Sequence, residues 1–73
     1  MANALAQFIV ETPAPYMGDV MGKLNGLGAW FDDVEKHCGA IRLAFRAPEA
    51  SMREFEMWLS RATDGAGKVH RNV

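Results

Sequence analysis

From Leu5 to Glu11 polar and apolar residues alternate, with Phe8 and Val10 on one side and Gln7 and Ile9 on the other. This is the period-two pattern of a strand with one buried face. The pattern then changes period. Tyr16, Met17, Val20, Met21 and Leu24 recur every three or four residues and predict a helix from about Pro13 to Asn25 with one apolar stripe. Thr12 is placed to cap it, and Pro13 and Pro15 fall in its first turn, where a missing N–H costs nothing. Gly18 and Gly22 each cost about 1 kcal/mol relative to alanine in a helix interior, which predicts a close approach of this backbone to the sheet or the second helix. Asn25-Gly26 and Gly28 supply left-handed conformations that stop the helix. Ala29 to Glu35 reads as a second strand, and the three-residue spacing of Phe31 and Val34 predicts a bulge or an early end to pairing. Lys36 to Gly39 makes a turn. Ile41, Leu43, Phe45 and Ala47 then alternate with Arg42, Ala44 and Arg46 in the most regular strand of the chain, which predicts a central position. Pro48 and Glu49 open a second helix with the stripe Met52, Phe55, Leu59 and Ala62, Trp58 beside it, Arg61 in its last turn and Gly65 at its end. Lys68 to Val73 form a short last strand.

Strand, helix, strand, strand, helix, strand is the split βαβ order of the ferredoxin-like fold. Right-handed crossovers put both helices on one face of a four-stranded antiparallel sheet, so the expected class is an α+β, βαββαβ sandwich with one sheet face bare. Residues 1–73 form a single domain. At 73 residues, 49% of them hydrophobic, the chain buries only about 60% of the surface its unfolded form exposes. Chains this small gain stability from disulfides, metals or self-association, and the single cysteine, Cys38, leaves no internal disulfide. The net charge of −1 gives no general attraction to nucleic acid or to an anionic membrane. The first residues carry neither a basic region nor a long apolar run, and no segment is long enough to span a bilayer, so the expected location is cytoplasmic.

Two separated strings carry a resemblance. Glu11-Thr-Pro is followed by Tyr16-Met-Gly18-Asp19-Val20, then Gly22, Leu24 and Asn25, and the second string is Thr63-x-Gly65-x-Gly67. Together, in this element order, the chain resembles the C-terminal domain (domain V) of elongation factor G and related translational GTPases, standing alone, from roughly Phe8 to Gly67. The resemblance implies a non-enzymatic domain that docks on the large ribosomal subunit and does not itself bind the nucleotide. Where the family has an arginine pair and a glycine after Leu-Asn, this chain has Gly26-Leu27-Gly28-Ala29, which removes phosphate contacts. Where its second helix carries aromatic-glycine-aromatic, this chain has Arg53-Glu54-Phe55.

Candidate chemistry adds little. Gly65-Ala-Gly67-Lys68 lacks the first glycine and the final serine or threonine of a phosphate loop and follows a helix instead of a strand, so no nucleotide is expected. His37, Cys38 and His70 do not have the paired spacing of a zinc site, and neither metal nor cofactor is expected. Asp32, Asp33, Glu35, Glu49, Glu54 and Glu56 read as solvated faces, and no enzyme activity is expected. The informative surface is the bare sheet face, where Leu5, Ile9, Ala44 and Trp30 meet Arg42, Arg46, Lys68 and His70. Aromatic, aliphatic and arginine residues together suit a protein interface. Single-stranded RNA would need aromatics on the central strands, which carry Gln7, Ile9, Arg42 and Ala44. Trp30, Arg42, Arg46 and Ile9 are therefore the expected binding residues. The expected partners are the ribosome or a ribosomal protein; the alternative is a homodimeric interaction module with no ribosome role.

Overall fold

A computed structural model describes residues 5–72. The elements are β1 (Leu5–Pro13), α1 (Met17–Gly26), β2 (Trp30–His37), β3 (Ala40–Pro48), α2 (Met52–Ala62) and β4 (Lys68–Arg71). All three strand pairings are antiparallel and the order across the sheet is β2-β3-β1-β4, the ferredoxin-like arrangement. β3, the most regular strand, is central as its pattern predicts, and β1 is the other central strand. Phe8, Val10, Ile41, Leu43, Phe45 and Ala47 turn one face of the sheet inward, and Val20 and Leu24 of α1 with Met52, Phe55 and Leu59 of α2 close over it. Phe45 sits at the centre, stacked on Phe8 with ring centroids 5.8 Å apart and meeting Phe55 edge-on at 6.1 Å.

Several local expectations are corrected. Thr12 does not cap α1: β1 runs on to Pro13, which leaves Thr12 inside the sheet opposite Ile41, 3% exposed, with its hydroxyl unpartnered. Pro13 instead precedes, and Pro15 lies within, a single tight turn, Ala14–Tyr16, and α1 begins only at Met17. The Ala14 N–H donates to the Gly39 carbonyl at 2.8 Å, tying the entry of α1 to the β2–β3 turn. Gly18 and Gly22 are exposed, and a methyl group on either would meet nothing within 4 Å, so close packing is not their role. They lie on the solvent side of α1, opposite Val20 and Leu24.

Helix α1 also continues through Gly26. Of the residues expected to stop it, only Gly28 takes a left-handed conformation, at φ +81. Ala29 N–H then reaches the Leu24 carbonyl and Gly28 N–H the Asn25 carbonyl, which is a Schellman closure. The bulge in β2 is present between Phe31 and Asp33. Lys36 and His37 belong to β2, and the hairpin turn is Cys38-Gly39 alone, both at positive φ (46 and 83) as a two-residue hairpin requires. In α2, which a tight turn at Glu49–Ser51 precedes, Ala62 is exposed and Thr63 takes its place against the core. The last strand ends at Arg71; Val73 lies outside the described residues.

Candidate functional site

The bare face is assembled by register. Ile9 sits between Ala44 and His70, Glu11 between Arg42 and Lys68, and Gln7 beside Arg46, which in turn faces Trp30. The four residues expected to bind, Ile9, Trp30, Arg42 and Arg46, thus share one surface. Trp30 is 64% exposed, and with Leu5 and Arg46 it lines a shallow depression of about 230 Å³.

The bulge decides the electrostatics of that corner. Asp32 is the extra residue, so it turns to the same face as Trp30 instead of pairing across the ladder. Both of its carboxylate oxygens accept from Arg46 Nε at 3.2 Å, and Arg46 Nη2 lies 3.0 Å from Oδ1. Arg42 Nε is 3.8 Å from Glu11 Oε2, a looser ion pair, with Glu35 opposite on the other neighbouring strand. Each arginine therefore already has a carboxylate. Asp33 adds a further negative charge, so the face is mixed in sign and poorly suited to phosphate.

The second family string is structural. The Thr63 hydroxyl donates to the Leu59 carbonyl at 2.7 Å and accepts from the Gly67 N–H at 2.7 Å, which folds the chain from α2 into β4. A methyl group at Gly67 would lie 2.9 Å from Leu59 Cδ1 and 3.0 Å from Thr63 Oγ1. This is the glycine of the chain that permits close packing. Asp64 and Gly65 (φ 53 and 81) make the left-handed turn. The amides of Asp64, Gly65, Ala66 and Gly67 donate to Arg61, Ser60 and Thr63, so none is turned outward to hold a phosphate. Of the first string, Tyr16 is half-buried against the core and Leu24 fully buried, while Gly18, Asp19, Gly22 and Asn25 face solvent. His37 and Cys38 stand at one edge of the sheet and His70 on the opposite edge strand, three strand spacings or about 14 Å away, too far to share an ion. Among the described residues no helix is long and apolar enough to cross a membrane.

One surface escaped the sequence reading. Ala50, Arg53, Glu54, Met57, Trp58 and Arg61 line a groove of about 500 Å³ along the outer side of α2. Their spacing is a second helical stripe beside the buried one, and Trp58 is its hinge with the core, stacked on Phe55 at 5.8 Å. Met57 is 59% exposed. Glu54 is taken by Lys23 of α1 at 3.0 Å, whereas Arg53 and Arg61 make no ion pair among the described residues. The signal was present as the pair Met57-Trp58 off the core stripe. An exposed methionine on a helix is common, and only the freedom of both arginines distinguishes this one.

A search of curated proteins finds no match. Among solved structures the chain is similar to a protein from Thermus thermophilus, with a TM-score of 0.82 and 22% sequence identity over 93% of this chain. At that identity the likeness bears on the fold. The matched region is 10% of the Thermus chain, so this chain spans about a tenth of that protein's length. A family model, elongation factor G C-terminus, matches residues 4–73, which takes in both sequence strings and every element of the sheet. The chain therefore belongs to the elongation factor G C-terminal domain family.

Proposed function

We propose that this chain is a non-enzymatic binding domain of the translation apparatus that docks on the ribosome through the outer side of α2. The observation that carries this reading is the groove in which Arg53 and Arg61, without an ion pair among the described residues, flank exposed Met57 and half-buried Trp58. Two turns of helix separate the arginines, about 12 Å along the axis. Guanidinium groups without carboxylate partners are the residues of choice for phosphate, and the indole offers a face for a base or an apolar side chain. Family membership supports the same direction, because the family is a non-catalytic domain of translation factors. The arginine pair missing between Gly26 and Ala29 shifts the expected contact from the end of α1 to α2.

Sedimentation with ribosomes tests the reading. The chain is expected in the ribosomal pellet at low salt. Two phosphate contacts predict a loss of about ten-fold in affinity between 50 and 200 mM salt. The Arg53→Glu/Arg61→Glu variant, both positions being exposed, is expected to keep its circular dichroism and stay in the supernatant. Wild-type chain that never pellets at low salt, or a variant that pellets equally well, would overturn the proposal.

A further inference from the structure

We propose that the bare sheet face binds a second copy of this chain, face to face, about a two-fold axis running close to the strand direction. The face is complementary in charge to itself. Read across the sheet in the order β2-β3-β1-β4, one row is Glu35, Arg42, Glu11, Lys68. The signs alternate, and the row begins acidic and ends basic. A two-fold axis along the strands lays each row over the same row of the second copy in reverse order. Glu35 then faces Lys68 of the other copy and Arg42 faces Glu11, each pair occurring twice.

The next row, about 7 Å away, reads Asp33, Ala44, Ile9, His70. Reversed on itself it sets Ile9 against Ala44 in the middle and a carboxylate against an imidazole at both ends. The apolar contact is central and the polar pairs form the rim, which is the anatomy of protein interfaces. The other face-to-face two-fold, with its axis across the strands, sets Asp33 on Asp33 and Arg42 on Arg46. Like charges so placed are destabilising, so the row order selects one arrangement.

Geometry permits it. Aligned sheets pack about 10 Å apart with strands inclined by about 30°. One row from the axis, that inclination displaces facing residues by about 3.5 Å, within the reach of Glu and Lys side chains. Four strands at about 4.8 Å and seven residues at about 3.4 Å give roughly 450 Å² in plan, before the side chains that stand off the sheet are counted. Two such faces give about 900 Å² in plan, the size of a small, weak interface below the roughly 1,200 Å² of standard ones. The arginines enter this interface already paired, Arg46 with Asp32 and Arg42 with Glu11, so little unpaired charge is buried. Trp30, at the corner of β2, comes opposite Asn72 of the second copy, whose N–H donates to the Gln7 carbonyl and extends the row past the end of β4.

The test uses the 73-residue chain and two single variants. Light scattering on the wild type is expected to rise with concentration towards twice the 8.1 kDa of one chain. Glu35→Lys alone and Lys68→Glu alone each create two like-charge contacts per dimer, and each is expected to dissociate about ten-fold or more readily. Mixed in equal amounts, the two variants form a heterodimer in which both facing pairs are again of opposite sign, so the mass is expected to recover. Edge-to-edge pairing or the crossed two-fold would show no such recovery. A wild-type mass that stays at 8.1 kDa up to hundreds of micromolar overturns the proposal whatever the variants do. So does a dimer indifferent to both substitutions, or one that mixing fails to restore. Ribosome sedimentation does not bear on this face, so failure there leaves the result standing.

Discussion

Replacing Gly67 by alanine tests how the domain is closed at its C-terminal end. The added methyl group would stand 2.9 Å from Leu59 Cδ1, 3.0 Å from Leu59 Cγ and 3.0 Å from Thr63 Oγ1. Leu59 and Thr63 are each only 1% exposed, so neither can swing into solvent to make room. Relief has to come from rotating Leu59 off its rotamer, or from moving the Gly67 N–H away from the Thr63 hydroxyl. The first is overpacking of a finished core, at about 1–3 kcal/mol. The second weakens a hydrogen bond to a buried hydroxyl, at about 1 kcal/mol. A loss of about 2 kcal/mol corresponds to a fall in Tm of roughly 8–16 °C for a domain of this size. Urea unfolding followed by circular dichroism measures it, with an unchanged m-value showing that the unfolded state is not responsible. Gly22→Ala is the matched control, because nothing lies within 4 Å of the new methyl group. It is expected to raise stability by up to about 1 kcal/mol through helix propensity alone. An unfolding midpoint for Gly67→Ala at or above that of the wild type would refute the packing argument, and a destabilised Gly22→Ala would refute the reading of α1.

Two further outcomes follow from single observations. Thr12→Val replaces a buried, unpartnered hydroxyl by a methyl group of the same shape and is expected to stabilise by about 1 kcal/mol; an equal loss would show that the hydroxyl has a partner after all. GTP is expected to produce no binding heat at millimolar concentration, since the amides from Asp64 to Gly67 are consumed by the end of α2, and a saturable isotherm would contradict that.

Local pattern carried the fold because its information is itself local. A strand exposes alternate residues and a helix every third or fourth, so Phe8, Val10, Leu43 and Phe45 declare their face without reference to one another. The break in that period between Phe31 and Val34 was equally legible, and the pairing that continues to His37 makes it a bulge and not the end of the strand. Given those elements, the handedness of βαβ crossovers left one arrangement, and the bare face with Ile9, Trp30, Arg42 and Arg46 followed from it.

What only the tertiary structure decided were questions of who stands opposite whom. A glycine looks the same in sequence whether its missing side chain admits a neighbour, as at Gly67, or faces water, as at Gly18 and Gly22. Thr12 has the chemistry of a cap, but pairing with Ile41 of a distant strand draws it into the sheet, away from the point where it could serve. Thr63 replaces Ala62 on the buried face because the helix ends there and its hydroxyl is spent on both sides of the turn. The charge state of the candidate surfaces is of the same kind. Arg46 is neutralised by the extra residue of a bulge and Arg42 by a carboxylate on the neighbouring strand, while Arg53 and Arg61, no different in sequence, are left without partners among the described residues. Composition counts charges, but their energies depend on distances that exist only once the strands are in register.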